Sequence, residues 1–274
     1  MSKKKVLIVT QEMQPYTALS EISAIARKLP QHIQENGMEI RVLMPRFGTI
    51  NERRHRLHEV VRLSGMNIIV DDDDFPLIIK VASLPGARMQ VYFLDNEDFF
   101  KRKQIFENGE GEPFDDNAER MIFFCKGVLE TVRKFGWPPD IIHCHGWMTS
   151  LIPLYVKTAY KNEALFQNSK VIYSLYESAM GKNFSNEFAN KASINNLEPD
   201  DLKAYQNGHG VSLHEGAMAF SDALIFGSEN LDEEVQQKLS KADKPVLEYQ
   251  GEEEYLNAYM EFYNSLLQEE EVEQ

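Results

Sequence analysis

Two rhythms of apolar residues alternate along the chain. Lys5 to Thr10 (KVLIVT) is a near-continuous apolar run and predicts a buried strand. From about Leu19 to Glu35, Ile22, Ile25, Ala26 and Leu29 recur at helical spacing, and Gly37 is placed to end that helix. A short strand follows at Ile40 to Met44. Strand, helix, glycine, strand is a βαβ unit and predicts a parallel sheet. Residues 58–95 read differently. Val60-Val61, Met66 to Val70, Leu77 to Ala82 and Met89 to Leu94 are β-rich without helices between them, and Asp71 to Asp74 and Pro85-Gly86 supply turns. This predicts a small antiparallel excursion on the sheet.

Helical spacing returns from about Asp116 to Phe135, with Ile122, Cys125, Val128, Leu129 and Val132 on one face and Gly136 at the end. The second half predicts strands at Asp140 to Cys144, Lys170 to Leu175, Ala223 to Phe226 and Val246-Leu247. Helices are expected at Trp147 to Ala159, Val211 to Phe220, Asn230 to Leu239 and Glu252 to Leu267. Residues 177–208, polar and rich in Asn and Ser, read as a flexible loop, and 269–274 as an acidic tail. The sum is an α/β fold, a Rossmann-like doubly wound and mainly parallel sheet carrying the 58–95 excursion.

Length and composition fit this picture. A chain of 274 residues with 43% hydrophobic and 26% charged side chains suits one large α/β domain or two small ones. Its net charge of −14 argues against a general nucleic-acid binder and against an anionic membrane surface. Cys125 and Cys144 are the only cysteines, too few for a disulfide framework, so a reducing compartment is the simpler reading. Lys3 to Lys5 precede an apolar run, but Val6 to Val9 is far short of the about 7–15 residues of a signal h-region. The expectation is a cytoplasmic protein.

In a doubly wound sheet, ligands bind beyond the carboxyl ends of the strands. Three such ends carry candidate chemistry: Gln11 to Leu19, His145 to Thr149, and Tyr176 to Ala179. The first has no glycine with which to cradle a phosphate, and Glu21 near the helix start suits the helix dipole but repels an anion. In the second, His143 and His145 share one face of the strand. A metal would need further ligands, for which only His209 and His214 are distant histidine candidates, so no metal is expected. His143 reads as a buried, hydrogen-bonded histidine, and His145, at the strand end, is expected to face a cleft. Trp147 is either a sugar-stacking platform or the anchor of a helix start. Asp115-Asp116 reads as a helix N-cap pair. No nucleophile-elbow or P-loop motif is present.

Several stretches, taken in order, resemble the N-terminal domain of bacterial glycogen and starch synthases. VLIVTQEMQPY is similar to that family's first strand and E-x-x-P segment, with Glu12 and Pro15 in register. Leu29-Pro30 and Met44-Pro45-Arg46-Phe47 resemble its L-P and M-P-R-Y elements, and Asp116 to Arg120 (DNAER) its D-N-x-x-R-F segment. Trp137-x-Pro-Asp140, IIHCHGW and Pro153 resemble P-D-[VI]-[VI]-H-x-H-D-W…P, and Ser221-Asp222-Ala223 a Y-A-D-x-V strand entry. The similarity runs from about Lys4 to Glu234.

The resemblance implies one half of a two-domain glycosyltransferase fold and a family reaction of glucosyl transfer from ADP-glucose to an α-1,4-glucan. It implies ligand-binding candidates at Glu12, Asn117, Arg120, His145, Trp147, Thr149 and Tyr176. Departures fall on the reacting positions. The family's K-T-G-G-L loop, which faces the nucleotide-sugar phosphates, falls on Ala18 to Ile22, so its lysine is Ala18 and its glycines are Ser20 and Glu21. The aspartate of H-D-W is Gly146, and the family histidine after the next strand is Tyr176, followed by Glu177. The family's second domain has no counterpart in these residues, while Tyr255 to Leu267 resembles the helix that returns from it to the first. The expected organisation is one domain over 1–250, with 251–268 a helix packing back on it. The expectation is a glycogen/starch synthase-like protein inactive on its own, unless a partner protein supplies a second domain. The alternative is a non-catalytic glucan- or protein-binding regulator of glycogen synthesis. An α-glucan or nucleotide-sugar is the ligand to test, and no cofactor is expected.

Overall fold

The computed structural model describes residues 3–177, 184–185, 187–194, 197–198, 200–206 and 212–272. Its strands are β1 (Lys5–Thr10), β2 (Glu39–Pro45), β3 (His58–Glu59), β4 (Met66–Val70), β5 (Asp73–Ser83), β6 (Gln90–Asp95), β7 (Ile141–His145), β8 (Lys170–Leu175), β9 (Ala223–Phe226) and β10 (Val246–Leu247). The helices are α1 (Ile22–Glu35), α2 (Glu52–His55), α3 (Glu97–Phe100), α4 (Asn117–Phe135), α5 (Ile152–Lys157), α6 (Phe188–Ala192), α7 (Leu213–Phe220), α8 (Glu233–Leu239) and α9 (Tyr255–Val272).

Strand order is β10-β9-β8-β7-β1-β2-β6-β5-β3, with β4 paired to β5. Every pairing from β10 through β6 is parallel. The chain winds outward from β1 through β2 and β6, then crosses back to β7 and winds the other way. The β1/β7 junction is therefore the switch point, where a ligand crevice is expected in this class of fold. α1 packs on β1 and β2 and against α9, while α4 and α7 each pack against α5. The central strands are buried on both faces, with Val6 to Val9 fully inaccessible, which explains their continuous apolar runs.

Several boundaries differ from the sequence pattern for physical reasons. β6 pairs parallel with β2 on one side and antiparallel with β5 on the other, so the antiparallel stretch over β3, β4 and β5 joins the parallel sheet through β6. The region from Trp147 is a 3-10 turn (Trp147–Thr149) before α5, not one continuous helix. α1 starts at Ile22 because the preceding residues are drawn into a loop around Glu12. α9 continues to Val272, through the stretch read as a tail. Much of the loop expected at 177–208 lies outside the described residues. Within it, α6 and a 3-10 turn at Asp201–Tyr205 are formed. Among the described residues, no helix is long and apolar enough to cross a membrane.

Two motif clusters hold the rim of the sheet. Arg46 meets Glu52 and Asp95, and Lys80 meets the same two carboxylates at 2.7 and 2.8 Å. Arg120 is buried and donates to the carbonyls of Phe99 (2.8 Å) and Ile105 (2.6 Å) and to Asn117 Oδ1 (2.7 Å). Its guanidinium also lies over the rings of Phe47, Phe100 and Phe114, and burial brings its pKa down to about 10.

The closing helix is tied to the sheet. Tyr255, Tyr259, Tyr263 and Leu266 form a buried stripe at helical spacing, and α9 lies against α1. Tyr263 Oη bonds His143 Nδ1 at 2.5 Å, and His143 Nε2 meets Ser174 Oγ at 2.7 Å. Removing one partner of such a buried bond strands the other. Tyr263→Phe is therefore expected to lower unfolding free energy by about 1–3 kcal/mol in urea titration. The exposed neighbour change Asn264→Ala should stay within about 0.5 kcal/mol of wild type. Equal, small effects at both positions would show that the helix is not anchored through His143.

Candidate functional site

A cleft of about 190 Å³ opens at the switch point. The loop after β1 supplies Gln11, Glu12 and Leu19 to Ile22; β7 leads into Gly146 and Trp147; β8 leads into Tyr176 and Glu177. Phe106, from the loop before α4, closes one side.

Glu12 is fully buried, and its carboxylate is surrounded by donors of its own loop. Oε2 accepts the backbone N–H groups of Leu19 (2.5 Å) and Ser20 (2.9 Å), and Oε1 accepts the Ser20 hydroxyl (2.5 Å). These amides precede the first turn of α1, where backbone donors and the helix dipole would otherwise favour an outside anion. The protein's own carboxylate holds them instead. Glu21, at the N-cap position of α1, accepts a hydrogen bond from Ser228 Oγ, which also receives the N–H of Glu177 at 3.4 Å. Glu12, Glu21 and Glu177 thus give the cleft an acidic lining, and the loop residues that line it, Leu19 to Ile22, include no cation.

Gly146 has φ 89°, a conformation costly for other residues. A Cβ there would sit 2.3 Å from Gln11 Oε1. The Gln11 side chain crosses over this glycine, and its oxygen accepts the Met148 N–H at 3.4 Å. The space a side chain at position 146 would enter is filled by Gln11.

Tyr176 is nearly inaccessible and fixed from three sides. Its hydroxyl bonds His145 Nδ1 at 2.8 Å. Its carbonyl accepts His214 Nε2–H at 2.8 Å, while His214 Nδ1 faces the Tyr173 hydroxyl at 3.1 Å. Its ring covers Gly227, where a Cβ would come within 2.5 Å of Cε1. Burial pulls the pKa of His145 to about 3 and of His214 to about 4, and that of His143 well below the ordinary value, so all three imidazoles are neutral.

Of the residues expected to bind ligand, Glu12, Trp147 and Tyr176 line the cleft together. His145 does not face it: it is buried beneath Tyr176, its ring tilted against that of His143 at 3.9 Å between centroids, and its Nε2 has no hydrogen-bond partner among the described residues. The strand runs one residue further than the pattern suggests, which draws His145 into the sheet. Thr149 is buried and bonds the Gly146 carbonyl at 2.7 Å, closing the 3-10 turn. Asn117 donates to the Phe106 carbonyl at 2.8 Å, so Asn117 and Arg120 position the loop that carries Phe106 and do not line the cleft. Trp147 is 5% exposed, its ring against Phe106 at 5.0 Å, so it acts mainly as an anchor with one edge in the wall. His143 has both ring nitrogens hydrogen-bonded. His209 lies outside the described residues. The sequence pattern marks the Gln11 to Leu19 loop but not Gln11 itself, because glutamine after a strand carries no motif, and nothing in 101–115 signals that Phe106 turns inward.

Introducing aspartate at Gly146 tests the Gln11 arrangement. Gly146→Asp combines an unfavourable φ of about 1–3 kcal/mol with the clash. It should lower the melting midpoint by about 4–8 °C. Adding Gln11→Gly should recover part of the loss in the same thermal scan. No loss in the single variant would contradict the geometry.

Comparisons with known proteins agree with the fold and the motif order. A profile of the starch synthase catalytic domain matches residues 5–248. The glycogen synthase of Chlorobium limicola is 42% identical over 173 residues, which is 63% of this chain and 35% of that protein. The glycogen synthase of Chlorobaculum tepidum is 37% identical over 230 residues, 82% of this chain and 46% of that protein. The catalytic domain of starch synthase IV from Arabidopsis thaliana, solved bound to ADP and acarbose, superposes with a TM-score of 0.73 at 18% identity. That match covers 90% of this chain and 51% of the plant domain. The chain spans about a third to a half of the length of these curated relatives. The profile match over most of the sequence, on a mainly parallel sheet of the same fold, shows that the chain belongs to the starch synthase catalytic domain family.

Proposed function

We propose that this chain acts in α-glucan metabolism by holding a glucan in the switch-point cleft, and that it does not by itself transfer glucose from ADP-glucose. The observation that carries this reading is the Glu12 carboxylate, which takes the loop donors at Leu19 and Ser20. Departure of a diphosphate needs fixed positive charge or free amide dipoles where its charge develops. Here a phosphate would meet Glu12, Glu21 and Glu177 and no lysine at position 18.

The same lining suits a neutral polyhydroxyl ligand. Sugar hydroxyls can donate to carboxylates, and the aromatic edges of Phe106, Trp147 and Tyr176 offer apolar contact to ring C–H groups. A volume of about 190 Å³ lies below the about 300–1,000 Å³ of a typical small-molecule cleft and fits a sugar ring better than a whole nucleotide-sugar. The relative solved with ADP and acarbose supports testing both ligand classes. A second domain, from a partner chain or from further sequence, is the route by which transferase activity would appear. Cytoplasmic residence belongs to this reading, supported by two buried free thiols.

Isothermal titration is expected to show maltotriose binding and no binding of ADP or ADP-glucose at matched concentrations. Trp147→Ala should abolish the sugar heat. Because that ring is largely buried, the exposed rim change Glu177→Arg serves as the companion, expected to weaken maltotriose without unfolding the chain. Ala18→Lys should leave glucose incorporation into glycogen undetectable. Saturable ADP-glucose binding with transfer to glycogen by the wild-type chain would refute the reading.

A further inference from the structure

A second cavity, of about 130 Å³, lies beside the first. It is a groove between the outer side of α1 and the segment that leads into α9. Tyr249, Tyr255 and Tyr259 line it, with Gln250 and Glu252 among the polar groups on its wall. Tyr255 and Tyr259 meet edge to face at 5.7 Å and are buried, which makes a rigid apolar floor. Tyr249 is 39% exposed and is the one large aromatic side chain of the groove open to solvent.

The two cavities share Glu21. Gly227 lines the groove and Tyr176 lines the cleft, and the Tyr176 ring rests directly on Gly227. The partition between the cavities is therefore the Glu21 side chain, held by Ser228, and the Gly227–Tyr176 contact.

We propose that this tyrosine groove is an extension site for the same saccharide, taking further glucosyl units of a chain whose first unit occupies the cleft. The proposal rests on the glucan reading of the cleft. Three features point to a saccharide as occupant. Tyrosine faces with carboxylate and amide acceptors match the alternating C–H and hydroxyl surfaces of a glucose unit. The groove and the cleft share the Glu21 carboxylate in their walls. Glu21 stands between the two with an oxygen free to accept a hydroxyl from a chain passing over it, since only its Oε1 takes the Ser228 bond. Glu21 and Glu252 make the groove a poor seat for an anion; among the described residues, Lys28 is the one cation that lines it.

Chain length is the discriminating variable. Maltohexaose should bind wild type about tenfold more tightly than maltose, and Tyr249→Ala should cost maltohexaose about tenfold, the scale of one aromatic contact, while leaving maltose unchanged. Tyr249 is exposed, so the variant should fold normally, checked by its melting midpoint. Glu177→Arg, on the cleft rim, should weaken both sugars. Equal affinity of wild type for the two sugars, or unchanged maltohexaose affinity in Tyr249→Ala, would overturn the groove. If Glu177→Arg affects neither sugar while Tyr249→Ala still weakens maltohexaose, the groove stands and the cleft reading fails. Failure of every maltooligosaccharide to bind overturns both.

Discussion

Glu12 leaves the carboxyl end of β1 as a buried carboxylate, and three donors from the loop ahead of α1 converge on it. A buried charge is tolerable only when hydrogen bonds replace its water, each charge-assisted bond being worth about 1.5–3 kcal/mol. That requirement shapes the loop. Leu19 and Ser20 must turn their amides inward, α1 can begin only after them, and Glu21 is left at the helix start reaching toward Ser228. The donors that could have met a phosphate are committed inside the fold.

Beneath the cleft runs a second set of dependencies. Tyr176 is held by His145 through its hydroxyl and by His214 through its carbonyl, and Gly227 admits its ring. His143, its ring against that of His145, is bonded in turn to Ser174 and to Tyr263 of α9. Burial keeps these imidazoles neutral, which suits a packed scaffold of hydrogen bonds and not an exposed acid or base. Tyr176 is thus a wedge between the cleft and the buried histidines beneath it.

Much of the fold was legible because the sheet is parallel and doubly buried. Lys5–Thr10, Lys170–Leu175 and Ala223–Phe226 are strands at the residues where the apolar runs lie. Partner choice was only half legible: β6 reads as part of an antiparallel meander and does pair so with β5, but its parallel pairing with β2 is not marked, because strand sequence carries no sign of its neighbour's direction. In the cleft, Glu12 was readable from its motif and the acidic character from Glu21 and Glu177. Motif position did not distinguish lining from support. Asn117, Arg120 and Thr149 sit in family-like segments, but their polar atoms point to backbone carbonyls and to each other. Gln11 filling the space over Gly146 is a tertiary fact, visible only once β1 and β7 lie side by side.

Family membership and local chemistry therefore carry different information. In this chain the family-like segments build the sheet and its rim clusters. The cleft is set by a few side chains at strand ends, and here those are carboxylates and aromatics. The most direct measurement is amide NMR of the wild-type chain with inorganic diphosphate or maltotriose added. The Leu19 and Ser20 amide resonances are expected to stay in place with diphosphate, while the Trp147 indole resonance shifts saturably with maltotriose. Saturable diphosphate shifts at Leu19 and Ser20 would show that Glu12 does not hold these donors, and would contradict the central claim.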